Sequence, residues 1–178
     1  MLIDRIDELV TIVRELGRPV ASLLVPGISR REVERAYGAP VPEDVATWFG
    51  WCNGVRSEPG QIQDTVNLVP GYRPLSAAEA AALRPAYEDD PVLGTRWMPL
   101  LGGPSGDLYA AVWSGNERPG IAGVLIGEPT EIEFADTERL VDFFVRCYRQ
   151  GAFTVGSDGL LTMDTDRYDA IYADIAGG

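Results

Sequence analysis

The sequence predicts an α+β fold in which N-terminal helices precede a mostly antiparallel sheet packed against helices. Before position 53, apolar residues recur at three- and four-residue steps, as on the buried face of a helix. Between positions 96 and 135, short segments are apolar on one or both alternating faces and are separated by turn residues. Helical periodicity then returns over 136–150. A run of helices followed by a run of strands argues against an alternating parallel sheet. At 178 residues without a compositional seam, the chain reads as one domain, 1–178. Within it, 1–28 are an N-terminal helix and loop, 29–150 a core, and 151–178 a C-terminal hairpin and helix extension.

The first helix is expected over 2–16, with Ile3, Ile6, Leu9, Val10, Val13 and Leu16 on its apolar side. Asp4, Asp7 and Glu8 favour its positive end, and Gly17 stops it. Ser29 and Glu32 have capping-box spacing for a short helix ending near Gly38. In "APVPEDVATWFGWCNGV", Pro42 suits a first helical position, and Glu43 and Asp44 face the dipole. Val45, Trp48, Phe49 and Cys52 form one stripe, and Asn53-Gly54 is expected to end the helix. Trp51 lies off that stripe and is expected to be buried.

Residues 55–65 read as polar loop and "VNLVPG" as a short strand. Ser76 and Glu79 form a second capping box, and Pro85 ends or kinks the helix that follows. Strands are expected at "RWMPLLGG", "DLYAAVW", "IAGVLIG" and "TEIEFA". In the last, Glu131 and Glu133 should share one face, with Ile132 and Phe134 on the other. The helix over 136–150 carries Leu140, Phe143, Phe144 and Cys147, with Asp136 as cap, Arg146 and Arg149 near its end, and Gly151 as terminator. A hairpin around Ser157-Asp158-Gly159 and a last helix complete the chain.

Composition removes whole mechanisms. All 15 basic residues are arginine and histidine is absent, so Ser-His-Asp and Cys-His pairs, lysine Schiff bases and phosphate-loop lysines are excluded. A zinc site would rest on carboxylates and only two cysteines, whereas His-free zinc sites usually use four. Twenty-seven acids give a net charge of −12, which disfavours nucleic acid and anionic membranes and favours basic partners. No apolar run approaches the ~20 residues of a membrane span. The acidic start lacks the basic region of a secretory signal, and a cytoplasmic protein is expected. Cys52 and Cys147 lie on apolar faces and read as buried free thiols.

The order and local wording of these segments resemble the SUKH superfamily, which includes fungal cell-wall-assembly regulators and bacterial immunity proteins of polymorphic toxin systems. The resemblance runs from about Ser29 to about Ile175. It is carried by "VERAYGAPVPEDVATWFGWCNG", "WMPLLGGPSGDLYAAVW", "IAGVLI" and "FADTERLVDFFVRC", and the tail is similar to extensions of bacterial members. Val41 departs from the usual leucine. The matching residues are core and turn positions, so the resemblance implies a SUKH-like fold and a non-enzymatic binding protein, most often one that neutralises a toxin. It supplies no catalytic residue.

Candidate sites follow the acids. The turn Gly102–Asp107 lacks the spacing of a dinucleotide fingerprint and reads as a strand connection. Asp164, Asp166 and Asp169 lack the glycine and glutamate of a calcium loop and read as helix cap and solvated face. Glu131 and Glu133 read as a solvated strand face. Glu58 and Asp64 in one loop, and Glu88, Asp89 and Asp90 in another, are the candidate partner-binding residues, able to steer a basic toxin domain. The leading expectation is an immunity protein that occludes such a toxin, with no metal and no cofactor. A regulatory scaffold that organises a larger assembly is the alternative, and a carboxylate-dependent metal hydrolase a third. No motif specifies the oligomeric state.

Overall fold

A computed structural model describes residues 1–115 and 117–176. Helix α1 (Leu2–Glu15) buries Leu2, Ile6, Leu9 and Val13, the i, i+4, i+7, i+11 row of one face. Ile3 and Leu16, expected on this stripe, are 38% and 43% exposed. The buried row starts one residue earlier than expected. A single turn, α2 (Val20–Leu23), leads into β1 (Leu24–Pro26). Helix α3 (Arg30–Tyr37) has both halves of the Ser29–Glu32 capping box and ends at Gly38 in the left-handed conformation, as expected.

Helix α4 (Glu43–Trp51) buries Val45, Ala46, Trp48 and Phe49. Trp51, expected to be buried, is half-buried and packs edge-on against Trp48, ring centroids 5.0 Å apart. The expected Asn-Gly terminator is a misreading. Cys52 is already extended, and β2 (Cys52–Val55) runs through Asn53 and Gly54 to pair antiparallel with β1. Gly54 has φ +88°, and a Cβ there would come within 2.9 Å of the Ser76 backbone nitrogen. Asn53 Oδ1 accepts a hydrogen bond from the Ala77 N–H (2.9 Å), so it serves the start of a later helix.

Two further expectations fail between positions 55 and 72. The polar loop contains a turn of helix, α5 (Gln63–Val66). The strand expected at "VNLVPG" is a tight turn in which Val69 bridges Tyr72. The apolar side chains there are core residues of a turn, with Leu68 and Val69 fully covered. β3 (Arg73–Pro74) follows, then α6 (Ala77–Leu83) with its Ser76–Glu79 capping box. Pro85 turns the chain into a 3₁₀ segment, Arg84–Tyr87, as a missing N–H requires.

The apolar block forms β4 (Trp97–Gly102), β5 (Leu108–Val112), β6 (Gly120–Val124) and β7 (Glu131–Phe134). With β3 at one edge they make an antiparallel meander in the order β3-β4-β5-β6-β7. Leu125 and Ile126, expected in the third of these strands, lie beyond it and are 44% and 60% exposed. Helix α7 (Thr137–Arg149) is capped by Asp136, which accepts from the Arg139 N–H (2.8 Å). The hairpin β8 (Phe153–Val155) and β9 (Leu161–Met163) and helix α8 (Thr165–Ala176) complete the fold.

The meander is covered on both faces, as strands apolar on both sides require. Helix α7 packs on β6, β7, α1 and α8. Tyr109 reaches Phe144 of α7 on this side (centroids 5.7 Å apart). Trp97, on the opposite face, meets Tyr87 edge-on (5.9 Å), and α6 packs on β4. One apolar cluster runs from Leu2 to Ile175, so the three stretches read from the sequence share a core. Cys52 and Cys147 are buried and unbonded, and burial pushes their thiols up to about 11 and about 12. Among the described residues no helix is long and apolar enough to cross a membrane.

A buried ion pair ties distant segments together. The Arg18 side chain is 1% exposed and donates from Nη1 to Asp64 Oδ2 (2.9 Å) and to the Gly159 carbonyl (3.1 Å). Its Nη2 donates to the Asp64 carbonyl (2.6 Å), and the other carboxylate oxygen of Asp64 accepts from the Leu161 N–H (2.9 Å). Removing one partner strands a buried charge. Asp64→Ala is expected to lower stability by about 3–5 kcal/mol in urea titrations, whereas Glu58→Gln should stay within about 0.5 kcal/mol. Equal midpoints for the two variants would show that the pair is not structural.

Candidate functional site

The five acidic candidates divide by what their carboxylates already hold. Asp64 is consumed by Arg18 and the β9 backbone. Asp90 is equally committed: Oδ1 accepts from the Val92 and Leu93 N–H groups (2.9 and 3.0 Å), and Oδ2 from the Thr130 hydroxyl. These bonds outweigh its desolvation and hold its carboxyl below the usual range. Both residues shape loops. Glu58, Glu88 and Asp89 are exposed, and Glu58 pairs only with neighbouring Arg56 (3.0 Å). Glu58 lies by α2, where Arg56 also reaches the Ser22 carbonyl. Glu88 and Asp89 follow Tyr87, whose hydroxyl donates to Gly106. Among the described residues no hydrogen bond or ion pair joins the two loops.

The other acids read as structural largely are. Asp164 accepts from the Arg167 N–H (3.0 Å) at the start of α8. Among the described residues no group of three or more His, Cys, Asp or Glu side chains is placed to hold a metal ion.

Glu133 differs from all of these. Strict alternation fails in β7, because Ile121 pairs with Phe134 and Ala122 with Ile132. One extra residue, Glu133, therefore sits in a β-bulge, a device that re-aims a side chain. Ile132, expected opposite the acids as half of an apolar face, is 50% exposed. The Glu133 carboxylate lies over Gly123, where any Cβ would overlap it. This places it on the α7 side of the sheet, in the wall of a cavity of about 220 Å³.

The rest of the cavity is lined by five aromatic rings together with Val69, Pro70, Leu125 and Met163. Tyr72 and Tyr109 stand with ring centroids 4.7 Å apart, and Phe153 and Tyr168 6.1 Å apart. The Tyr109 and Tyr168 hydroxyls are 3.4 Å from one another. Phe144 lies beneath, and Leu125 and Met163, each 44% exposed, form part of the mouth. Burial raises the Tyr72 and Tyr109 phenols and pushes Tyr168 up to about 12, with the Glu133 charge adding to each. All three stay protonated at neutral pH.

Among the described residues no arginine pairs with Glu133, and no hydrogen bond reaches its carboxylate. Burial raises its pKa above the usual glutamate range, and repulsion from Glu131 adds to this. Asp107, outside the lining, accepts from the Ile126 N–H (2.9 Å) next to Leu125 of the mouth. A larger groove, about 560 Å³, lies between α3, α4 and the segment after β5, and among the described residues four of its six charged side chains are ion-paired, Arg96 and Glu117 being the exceptions. There Arg30 pairs with Glu34 and Glu43, and Arg118 with Asp44 and Asp136.

The sequence offers Glu131 and Glu133 as a carboxylate pair or, as preferred above, a solvated strand face, and it does not single out Tyr72, Tyr109 or Tyr168. The one usable signal is a glycine, Gly123, on a strand whose neighbour carries two glutamates. No known family model matches the chain, and no curated protein matches it.

The raised pKa has a consequence for stability. A carboxyl whose folded pKa is raised contributes stability below its unfolded value of about 4.3, and this is lost as pH rises through the folded pKa. Glu133→Gln is therefore expected to raise the melting temperature at pH 7. Its advantage over the wild type should shrink to nothing as the pH falls below about 4. A variant less stable than the wild type at pH 7 would mean that the carboxylate is compensated in the fold.

Proposed function

We propose that this chain is a non-enzymatic binding protein of SUKH type that acts in the cytoplasm as an immunity protein. It binds a basic toxin domain and occludes that domain's active site. One observation carries the reading. The face around the aromatic cavity joins exposed Leu125, Ile126 and Met163 to Asp107, Glu131 and Glu133, carboxylates that no arginine neutralises among the described residues. Apolar surface beside unmatched acids is the composition of a protein-binding patch for a cationic partner. Glu58, Glu88 and Asp89 remain exposed and add to the attracting field. The two unbonded thiols suit a reducing compartment.

The test is neutralisation of the protein encoded next to this one. Expressed alone in a test bacterium, the neighbour is expected to stop growth, and co-expression of this chain should restore it. The purified pair should form a one-to-one complex whose association slows as salt rises from about 0.05 to 0.5 M. A harmless neighbour, with several weak partners in its place, would overturn immunity in favour of the regulatory scaffold. Association indifferent to salt would remove the acidic field from the mechanism.

A further inference from the structure

We infer that the cavity beneath Leu125 and Met163 is a receptor for a guanidinium group, the tip of an arginine side chain presented by the protein partner. The inference rests on the binding reading above and names the chemistry of its central contact. Three features select the ligand. Tyr72, Tyr109, Phe144, Phe153 and Tyr168 contribute five of the ten lining residues, and the faces of such rings attract cations. The one charged group in the lining is the Glu133 carboxylate, turned inward by the β-bulge and left without a cationic partner among the described residues. Among the described residues no positively charged side chain lines the space.

An anion is disfavoured there by Glu133, and a neutral apolar group would leave that carboxylate desolvated and unmatched. A cation satisfies both constraints. Guanidinium fits better than ammonium because it is planar, stacks on tyrosine, is weakly hydrated and can pair with a carboxylate through two parallel hydrogen bonds. A volume of about 220 Å³ admits the end of one such side chain. The exposed apolar residues at the mouth would pack on the partner around it and keep water out, which strengthens the pairing.

Methionine methyl groups provide the readout. The chain has Met1, Met98 and Met163, of which Met163 borders the cavity and Met98 is fully buried. In protein labelled with ¹³C at the methionine methyls, N-acetyl-arginine-N-methylamide is expected to shift the Met163 resonance saturably, with Met1 and Met98 unmoved. The citrulline analogue, uncharged but of the same shape, should not shift it. The lysine analogue should bind more weakly. Glu133→Gln should weaken the arginine probe by at least about tenfold, while Glu15→Gln, at the exposed end of α1, should leave it unchanged. An unchanged Met98 resonance certifies that each variant is folded.

No response at roughly 100 mM arginine probe, equal binding of citrulline, or an unaffected Glu133→Gln variant would overturn the site. Lysine binding as tight as arginine would overturn the guanidinium assignment. The probe needs no partner protein, so the two readings fail separately. Saturable probe binding without growth rescue removes the immunity function and keeps the site. Rescue that survives Glu133→Gln undiminished, with no probe binding, does the reverse.

Discussion

The fold depends on one buried guanidinium. Arg18 follows the end of α1, yet its hydrogen bonds are made to Asp64 and Gly159, 46 and 141 positions away. A buried ion pair is weak evidence for net stability, because desolvating two charges offsets most of their attraction. Its value lies in what it excludes: any arrangement that separates these three segments leaves a charge in the interior. Asp64 sits in α5, directly before the turn that carries Val69, Pro70 and Tyr72. Gly159 and Leu161 belong to the hairpin that carries Phe153 and Met163. The clamp therefore fixes two walls of the cavity relative to each other. A second bond reinforces it, as the Tyr148 hydroxyl of α7 donates to the Leu68 carbonyl (2.6 Å) within the same loop. Sheet, helix and hairpin thus meet at one place because polar groups there have no other partners.

How much of this the sequence disclosed follows the range of the interactions involved. Helix starts depend on side chains three residues apart, and both Ser–x–x–Glu boxes and the Asp136 cap form as read. Strands covered on both faces announce themselves by apolar runs, and the meander was legible for that reason. Asn53-Gly54 was misread because the same two residues suit a helix terminator and a tight approach between elements. Only the position of Ser76 and Ala77, more than twenty positions later, distinguishes them. Asp64 and Asp90 looked like free loop acids because their partners lie on other segments or are backbone N–H groups, which a sequence does not mark. The cavity was invisible altogether. It draws Tyr109, Glu133, Phe144 and Tyr168 from four separate elements and Tyr72 from a turn, and its acid is aimed by a bulge that period-two reasoning cannot anticipate.

The acid excess therefore divides into populations with different work. Asp64, Asp90, Asp136 and Asp164 satisfy backbone or buried donors, and their charge is local. Glu8, Glu34, Asp44 and Asp142 pair with arginines across or along helices. Exposed pairs of this kind add little stability each, but they engage many of the arginines. Among the described residues none of the arginines reaches the acids around the cavity.

A carboxylate half-buried among tyrosines and unpaired is costly for the isolated fold, because the low-dielectric surroundings penalise its charge. The cost would disappear if residue 133 were apolar, or if the β-bulge were absent and its side chain pointed to water. The fold does the opposite. It adds a residue to β7, keeps position 123 as glycine so that the carboxylate has room, and lines the approach with aromatic faces. Such an arrangement destabilises the free protein and is relieved by an entering cation. The differential interaction that any ligand needs in order to be favoured is thereby built into the empty state. A surface that served only for solubility would require none of it, since acids at Glu58, Glu88 and Asp89 keep a protein apart from its neighbours without being buried.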